Sequence, residues 1–364
     1  MIVEGAILDI DGPRPGYVRF REGRIVETGR PGTDSRRGRD RRIRGIVVPS
    51  PVNGHTHLAD AVSVREPPAG PVADLVRPPH GYKFRLLADA TPGAKVAAMR
   101  SALLRMARDG VRVAVDFREE GADGLALLRR AAHGVPVRVV GLGRPLRRPV
   151  DTEELREVLA AGDGVGLSSA RDETPETLRT VATACRRAHK RYALHASEAV
   201  REDPERFLRP KPDLLVHLAK ATSDDLERVR AAGVTTVVCP RSNALFGRQP
   251  DLEEMERLGL HVMLGTDNAM FHAPSIWREL EFAYVSSRLV GRPVSAEFLA
   301  RSVLVEPWRW LGTPDAARIA PGSPVVPLVL RLPPEDPAYQ VVTRTTEHLI
   351  LRGRPRDVRP GATR

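Results

Sequence analysis

Cysteine is almost missing from this chain of 364 residues: only Cys185 and Cys239 occur. They are not spaced as a metal or redox pair, so a disulfide scaffold is excluded and a reducing compartment fits. Long apolar runs are missing too. Nothing approaches the roughly eighteen consecutive apolar residues of a membrane-spanning helix. The start, Met1-Ile-Val-Glu-Gly-Ala-Ile-Leu-Asp-Ile-Asp11, has no basic segment ahead of an apolar stretch, which argues against a secretory signal and for the cytoplasm. Lysine is scarce, five residues among 57 Lys and Arg, and aromatic residues make up 4%. The net charge of +11 invites a nucleic-acid reading, but Arg is scattered among Asp and Glu, and few rings are available to stack on bases. The one dense basic run, Ser35–Arg44, reads as a solvated loop or strand edge. The excess of Arg over Lys fits genome composition and heat adaptation equally well. A protein without nucleic-acid or membrane partners is the expectation.

What is present is alternation. Residues 1–45 read as short strands with tight turns at Gly12–Gly16 and Glu22-Gly23. The tail repeats that texture, with strand-like segments at Val325–Leu332, Tyr339–Arg344 and His348–Leu351. In between, apolar β-branched runs at 46–57, 111–119, 136–143, 164–169, 192–198, 214–220, 234–239 and 261–267 alternate with helical stretches. Several helix starts are marked, by Asp151 or Thr152, by Thr174 before Pro175, and by Thr222 or Ser223. Eight strands alternating with helices predict an α/β protein, a closed (β/α)8 TIM barrel. No Gly-x-Gly-x-x-Gly follows a strand, which argues against an open dinucleotide-binding sheet. The expected organisation is a small β-sandwich domain formed from both chain termini, 1–45 plus 320–364, around a barrel at 46–319. One long proline-rich segment, Asp60–Pro92, interrupts the pattern and is expected to cover the barrel mouth.

The chemistry gathers at the predicted strand ends. His55-Thr-His57 places two imidazoles at i and i+2, on one side of the first barrel strand. His195 ends the fifth, His217 lies in the sixth and Asp267 ends the eighth, so all five reach one rim. Neutral imidazole is the commonest ligand for zinc-like ions. Glu198 follows His195 by three residues, where a carboxylate can move a proton or serve a following helix.

These segments resemble the amidohydrolase superfamily, in the branch of cytosine deaminase, the chlorohydrolases and related aminohydrolases. The matched residues are Val48-Pro49-Ser-Pro-Val-Asn53-Gly-His55-Thr-His57, His195-Ala-Ser-Glu198, His217, Cys239-Pro-Arg-Ser-Asn243 and Gly265-Thr-Asp267-Asn. Ser50 departs from the family's usual Pro-Gly turn. The resemblance implies one divalent metal ion, zinc ahead of iron, held by His55, His57, His195 and Asp267. Relatives with two metals end strand 4 in a carboxylated Lys; here Gly164–Ala170 has no Lys, Cys or Glu, so a single ion is expected. Such an ion lowers the pKa of a bound water towards ~7, supplying hydroxide at neutral pH.

The resemblance also assigns catalytic roles. Glu198 would protonate a ring nitrogen, His217 would hydrogen-bond the attacking water, and Asp267 would take its proton. Arg241, Ser242 and Asn243, with Lys83, Arg85 or Arg118, are the expected substrate contacts. Asp116 is expected either to orient a metal-binding histidine or to serve in a salt bridge. The function that follows is a metal-dependent hydrolase of carbon–nitrogen bonds other than peptide bonds, an aminohydrolase that deaminates a purine-, pyrimidine- or pterin-like small molecule. The alternatives on the same ligands are opening of a cyclic amide and hydrolysis of a ring chloride. A non-enzyme alternative is a binding or assembly barrel. Relatives of this kind are often homo-oligomers.

Overall fold

The chain opens with four strands, β1 (Ile2–Asp9), β2 (Gly12–Arg21), β3 (Arg24–Gly29) and β4 (Arg42–Val48). The first three form an antiparallel meander, and β4 returns parallel to β1. The computed structural model describes residues 1–33, 40–345 and 350–352. Half of the basic run Ser35–Arg44 and part of His348–Leu351 lie outside the described residues.

The apolar run 46–57, expected as one strand, is cut in two. Pro49 and Pro51 have no backbone N–H to give to a ladder, and the chain passes from β4 into β5 (Val52–His57). After β5 come β6 (Val113–Arg118), β7 (Arg138–Gly143), β8 (Gly164–Ser169), β9 (Arg191–Ala196), β10 (Leu214–His217), β11 (Thr235–Val238), β12 (Val262–Leu264) and β13 (Asp267–Asn268). Every residue of β5, β6 and β10 is buried, as in parallel strands covered on both faces. The sheet runs β12-β11-β10-β9-β8-β7-β6-β5-β13. β12 and β13 are successive pieces of one eighth strand, the first paired with β11 and the second with β5. The sheet therefore closes on itself as a (β/α)8 barrel.

The break in the eighth strand has a local cause. A side chain at Gly265 would begin 2.6 Å from His55 Cβ and 2.7 Å from its backbone nitrogen, so only glycine fits so close to β5. Buried Asn53 bridges the gap: Thr266 N donates to its Oδ1 at 3.0 Å, and its Nδ2 donates to Thr266 Oγ1 at 2.8 Å. The expected caps are also present. Asp151, Thr174 and Thr222 each accept a backbone N–H from the first turn of the helices Thr152–Ala161, Pro175–Arg187 and Ser223–Ala231. Each such cap stabilises its helix by about 1 kcal/mol.

The long segment after β5 is largely helical. It holds a short 3-10 turn at Leu58–Val62, then α1 (Val72–Val76), α2 (Tyr82–Asp89) and α3 (Pro92–Arg108). At the far end of the chain, β14 (Leu328–Leu330) pairs antiparallel with β4, and β15 (Ile350–Arg352) with β14. Both chain ends thus build one six-stranded sheet, with Val3, Ile7, Val18, Phe20, Val47 and Val329 in its core. Tyr339–Arg344, expected as a strand, is instead helical within Pro337–Arg344. Pro337 suits a first helical turn, and Val341, Val342 and Thr345 bury one helical face. The chain divides into two compact units, Met1–Val52 with Ser295–Arg364, and Asn53–Val294. Among the described residues no helix is long and apolar enough to cross a membrane.

Candidate metal centre and active site

The five strand-end residues meet inside the unit Asn53–Val294. His55 is fully buried, and His57, His195, His217 and Asp267 are at most 7% exposed. Two triads, His55–His195–His217 and His55–His57–Asp267, each bring one donor atom per residue within 4.8 Å of the others. His55 Nε2 and His57 Nε2 lie 3.3 and 3.6 Å from Asp267 Oδ1. The rings of His55 and His195 are 5.0 Å apart edge to face, with Phe117 of β6 packed against both.

Each of these groups is anchored through one atom and presents another. His195 Nδ1 lies 2.8 Å from the Leu167 carbonyl, so it donates there and leaves Nε2 as the acceptor. His57 Nδ1 lies 3.0 Å from Glu119 Oε1. Ser242 Oγ donates to Asp267 Oδ2, which frees Oδ1 towards the histidines. His55 is the telling member, because both its ring nitrogens are buried without a hydrogen-bond partner. Leaving such groups unsatisfied is costly, whereas two triads of imidazole and carboxylate donors that share His55, each within 4.8 Å, suit a divalent cation. The residues present therefore fit a metal ion.

Electrostatics keep the set ready for a cation. Burial drives the His55 and His195 pKa values down, and that of His57 to about 3, so the imidazoles are neutral. Burial alone would raise Asp267, but His55, 3.3 Å away, and the neighbouring His217 and His57 hold it well below the carboxylate range. Backbone strain marks two of these residues, since His217 and Asp267 have left-handed φ values of 80° and 56°. Non-glycine residues are held this way at a cost, typically where function needs the side chain aimed.

Glu119, one residue past β6, was not singled out in the sequence. Its Oε1 takes His57 Nδ1 and Lys83 Nζ, the latter at 2.7 Å, and its Oε2 takes Arg118. Burial would raise its pKa, but Lys83, His57 and Arg118 hold it well below the usual range. Asp116 instead braces the backbone: its Oδ1 lies 2.9 Å from Thr56 Oγ1 and accepts from Leu58 N at 2.7 Å. It orients the strand, and Glu119 orients the histidine. Asp60 completes the group 3.0 Å from Lys83, with burial pushing its pKa up to about 7 against the pull of that lysine.

A pocket of about 90 Å³ lies at these residues. His57, His195, His217, Asp267 and Glu198 all line it. Glu198 Oε2 lies 3.8 Å from His217 Nε2. Asn243 Nδ2 is 3.2 Å from His217 Nδ1, which makes that nitrogen the acceptor and leaves the proton on Nε2, towards Glu198.

The expected substrate contacts divide. Lys83 and Ser242 line the pocket, although Lys83 is also committed to Glu119 and Asp60. The pocket does not take in Arg118, Arg241 or Asn243. Arg118 is 1% exposed and pairs with Asp116 and Glu119. Arg241 turns away to buried Glu279, at 2.6 Å, and to the Ala273 carbonyl. Each of these cations has a buried carboxylate to neutralise, which outweighs exposure to the cavity.

Comparison with known proteins agrees with this geometry. Residues 46–325 match the amidohydrolase family. A relative in Methanothermobacter thermautotrophicus, which carries the name "Putative aminohydrolase", is 32% identical over 336 residues, spanning 85% of this chain and 86% of its own. A zinc-bound adenosine deaminase from Xanthomonas campestris superposes with a TM-score of 0.73 at 16% identity, over 94% of this chain and 88% of that one. Atrazine chlorohydrolase from Arthrobacter aurescens, complexed with zinc, gives 0.70 at 17% identity, over 94% and 90%. These two structures speak to the fold; the family rests on the sequence matches. The chain belongs to the amidohydrolase family, as a hydrolase of carbon–nitrogen bonds other than peptide bonds.

Proposed function

We propose that this protein deaminates a small heteroaromatic ring, replacing an amino group by oxygen and releasing ammonia, with one divalent ion, zinc ahead of iron, held by His55, His57, His195 and Asp267. The observation that carries the reading is Glu198, which faces His217 Nε2 at 3.8 Å and lines the same pocket as the metal-binding residues. A divalent ion bound there lowers the pKa of a coordinated water towards ~7.

The remaining steps belong to the chain's own side chains. His217, with its proton on Nε2, hydrogen-bonds the attacking oxygen and steadies the negative charge that develops on it. Asp267 accepts a proton from the water as the new C–O bond forms. Glu198 takes the water's other proton and gives it to the ring nitrogen next to the attacked carbon, help worth ~10²–10⁴ in rate. Asp267 then passes its proton to the amino group, the C–N bond breaks and ammonia leaves, while the ring nitrogen keeps the other proton. Water and the amino compound are consumed, and the oxo compound and ammonia are formed. Two buried, unpaired thiols, Cys185 and Cys239, are in keeping with a reducing cytoplasm.

The test is a screen of the zinc-loaded protein for ammonia release from aminopurines, aminopyrimidines and pterins, beside cyclic amides and a chlorotriazine. Ammonia from at least one ring amine is the expected result. Opening of a cyclic amide or release of chloride, with no ammonia from any ring amine, would overturn it.

A further inference from the structure

We infer that Arg144 receives an anionic substituent, a carboxylate or a phosphate, carried by the ring substrate; this rests on the deaminase reading and names its substrate class. Arg144 follows β7 directly and continues its ladder, its backbone N–H donating to Arg118 O at 2.8 Å. That position puts it at the mouth, and it lines the pocket with Glu198 and the metal-binding histidines. It is 6% exposed, and its Nε is buried without a hydrogen-bond partner.

Charge bookkeeping in the pocket leaves Arg144 under-neutralised. Its single ion pair among the described residues is a long one, 3.9 Å to Glu119 Oε1. That oxygen already serves His57 at 3.0 Å and Lys83 at 2.7 Å. Of the other pocket cations, Arg77 pairs with Asp172 at 2.9 Å and Lys83 has both Glu119 and Asp60, while Arg171, 3.8 Å from Asp172, is partly exposed and reaches solvent. Of the other pocket carboxylates, Asp267 accepts from Ser242 Oγ and Glu198 faces His217 at 3.8 Å. Glu202 accepts from Ser169 Oγ, Ser197 N and Arg171 N, at 2.9, 2.9 and 3.0 Å. Nearby Glu173 belongs to Arg148, at 2.7 Å. A buried guanidinium with unused donors and a distant counter-ion is completed by an oxyanion, which it binds through charge-assisted hydrogen bonds.

The experiment compares matched pairs that differ in one anionic group: adenosine with its 5′-monophosphate, and pterin with pterin-6-carboxylate. The quantity read is the ratio of kcat/KM, anionic over neutral, for zinc-loaded wild type, Arg144→Met and Arg144→Lys. Wild type should favour an anionic member, and Met should lower that ratio by about 10- to 100-fold. Lys should give an intermediate ratio. A purely structural role would lower both members together and leave the ratio unchanged. The pair that shows the preference separates phosphate from carboxylate.

Binding of the same pairs to zinc-loaded Glu198→Gln, by calorimetry, needs no turnover. Tighter binding of an anionic member, lost on adding Arg144→Met, supports the assignment even if no ammonia is ever released; in that case the deaminase reading fails alone. Equal binding of neutral and anionic members, no binding of any anionic member, or a ratio unmoved by Arg144→Met overturns it.

Discussion

Glu119 holds His57 by its far nitrogen: Oε1 lies 3.0 Å from His57 Nδ1, and Lys83 from α2 reaches the same oxygen at 2.7 Å. The contact ties the helical segment after β5 to the centre of the site. Glu119→Gln should therefore weaken zinc affinity roughly 10- to 100-fold, the usual loss when a carboxylate behind a metal-binding histidine is changed. Competition against a chromogenic chelator measures it. Unchanged affinity would mean that His57 is oriented by something else.

Glu198 should separate binding from chemistry. It faces His217 and the pocket, while the proposed ligands are His55, His57, His195 and Asp267. Glu198→Gln is expected to keep the full metal content and to lose ~10²–10⁴ in kcat. Elemental analysis alongside single-turnover kinetics reads both. Loss of metal together with activity would make Glu198 a structural residue.

The buried imidazoles set a direction for acid sensitivity. Burial holds the His57 pKa down to about 3, while an unfolded histidine titrates near ~6.5. Between those values the unfolded chain binds a proton that the native chain refuses. The His57 contribution to stability is thus fully present above ~6.5 and is lost as pH falls towards about 3, at up to ~1.4 kcal/mol per pH unit. Raised carboxyls such as Asp116, pushed up to about 6 by burial, run the opposite way. Comparing metal-free wild type with His57→Gln in urea isolates the histidine. Wild type should lose stability relative to the variant on acidification, and a constant difference would contradict the assignment.

Gly265 ties the barrel seam to the metal site. Gly265→Ala would set a methyl group 2.6 Å from His55 Cβ, so β5 and the eighth strand must part. Overpacking of this kind costs ~1–3 kcal/mol. The denaturation midpoint should fall, and zinc affinity should fall with it because His55 is displaced. A variant as stable as the parent would show that the seam yields freely.

How far the sequence could be read depended on whether the decisive contacts were local. His55-Thr-His57 announces itself by period two within one strand, and His195 and Asp267 by the apolar runs they close. The caps at Asp151, Thr174 and Thr222 are equally local. Glu119 was hidden because its partners His57 and Lys83 are brought to it by other elements, and the adjacent Arg118 drew attention as a cation. Arg118 and Arg241 looked available in the sequence because their counter-ions were not visible; in the fold Asp116, Glu119 and Glu279 claim them. Arg144 gave no signal for the opposite reason, since only the fold shows which arginine lacks a close counter-ion. Tyr339–Arg344 misled because a short apolar segment fits period two about as well as a helical stripe, and the proline at its start decides for the helix.

Mass spectrometry of the product formed in ¹⁸O-labelled water, with ammonia measured in the same reaction, tests the central claim most directly. The account predicts that zinc-loaded protein yields an oxo compound with one solvent oxygen on the carbon that bore the amino group, and one ammonia per turnover. Glu198→Gln with the same zinc content should yield far less of both. Labelled product arising only by chloride release or ring opening, or undiminished labelling in Glu198→Gln, would contradict it.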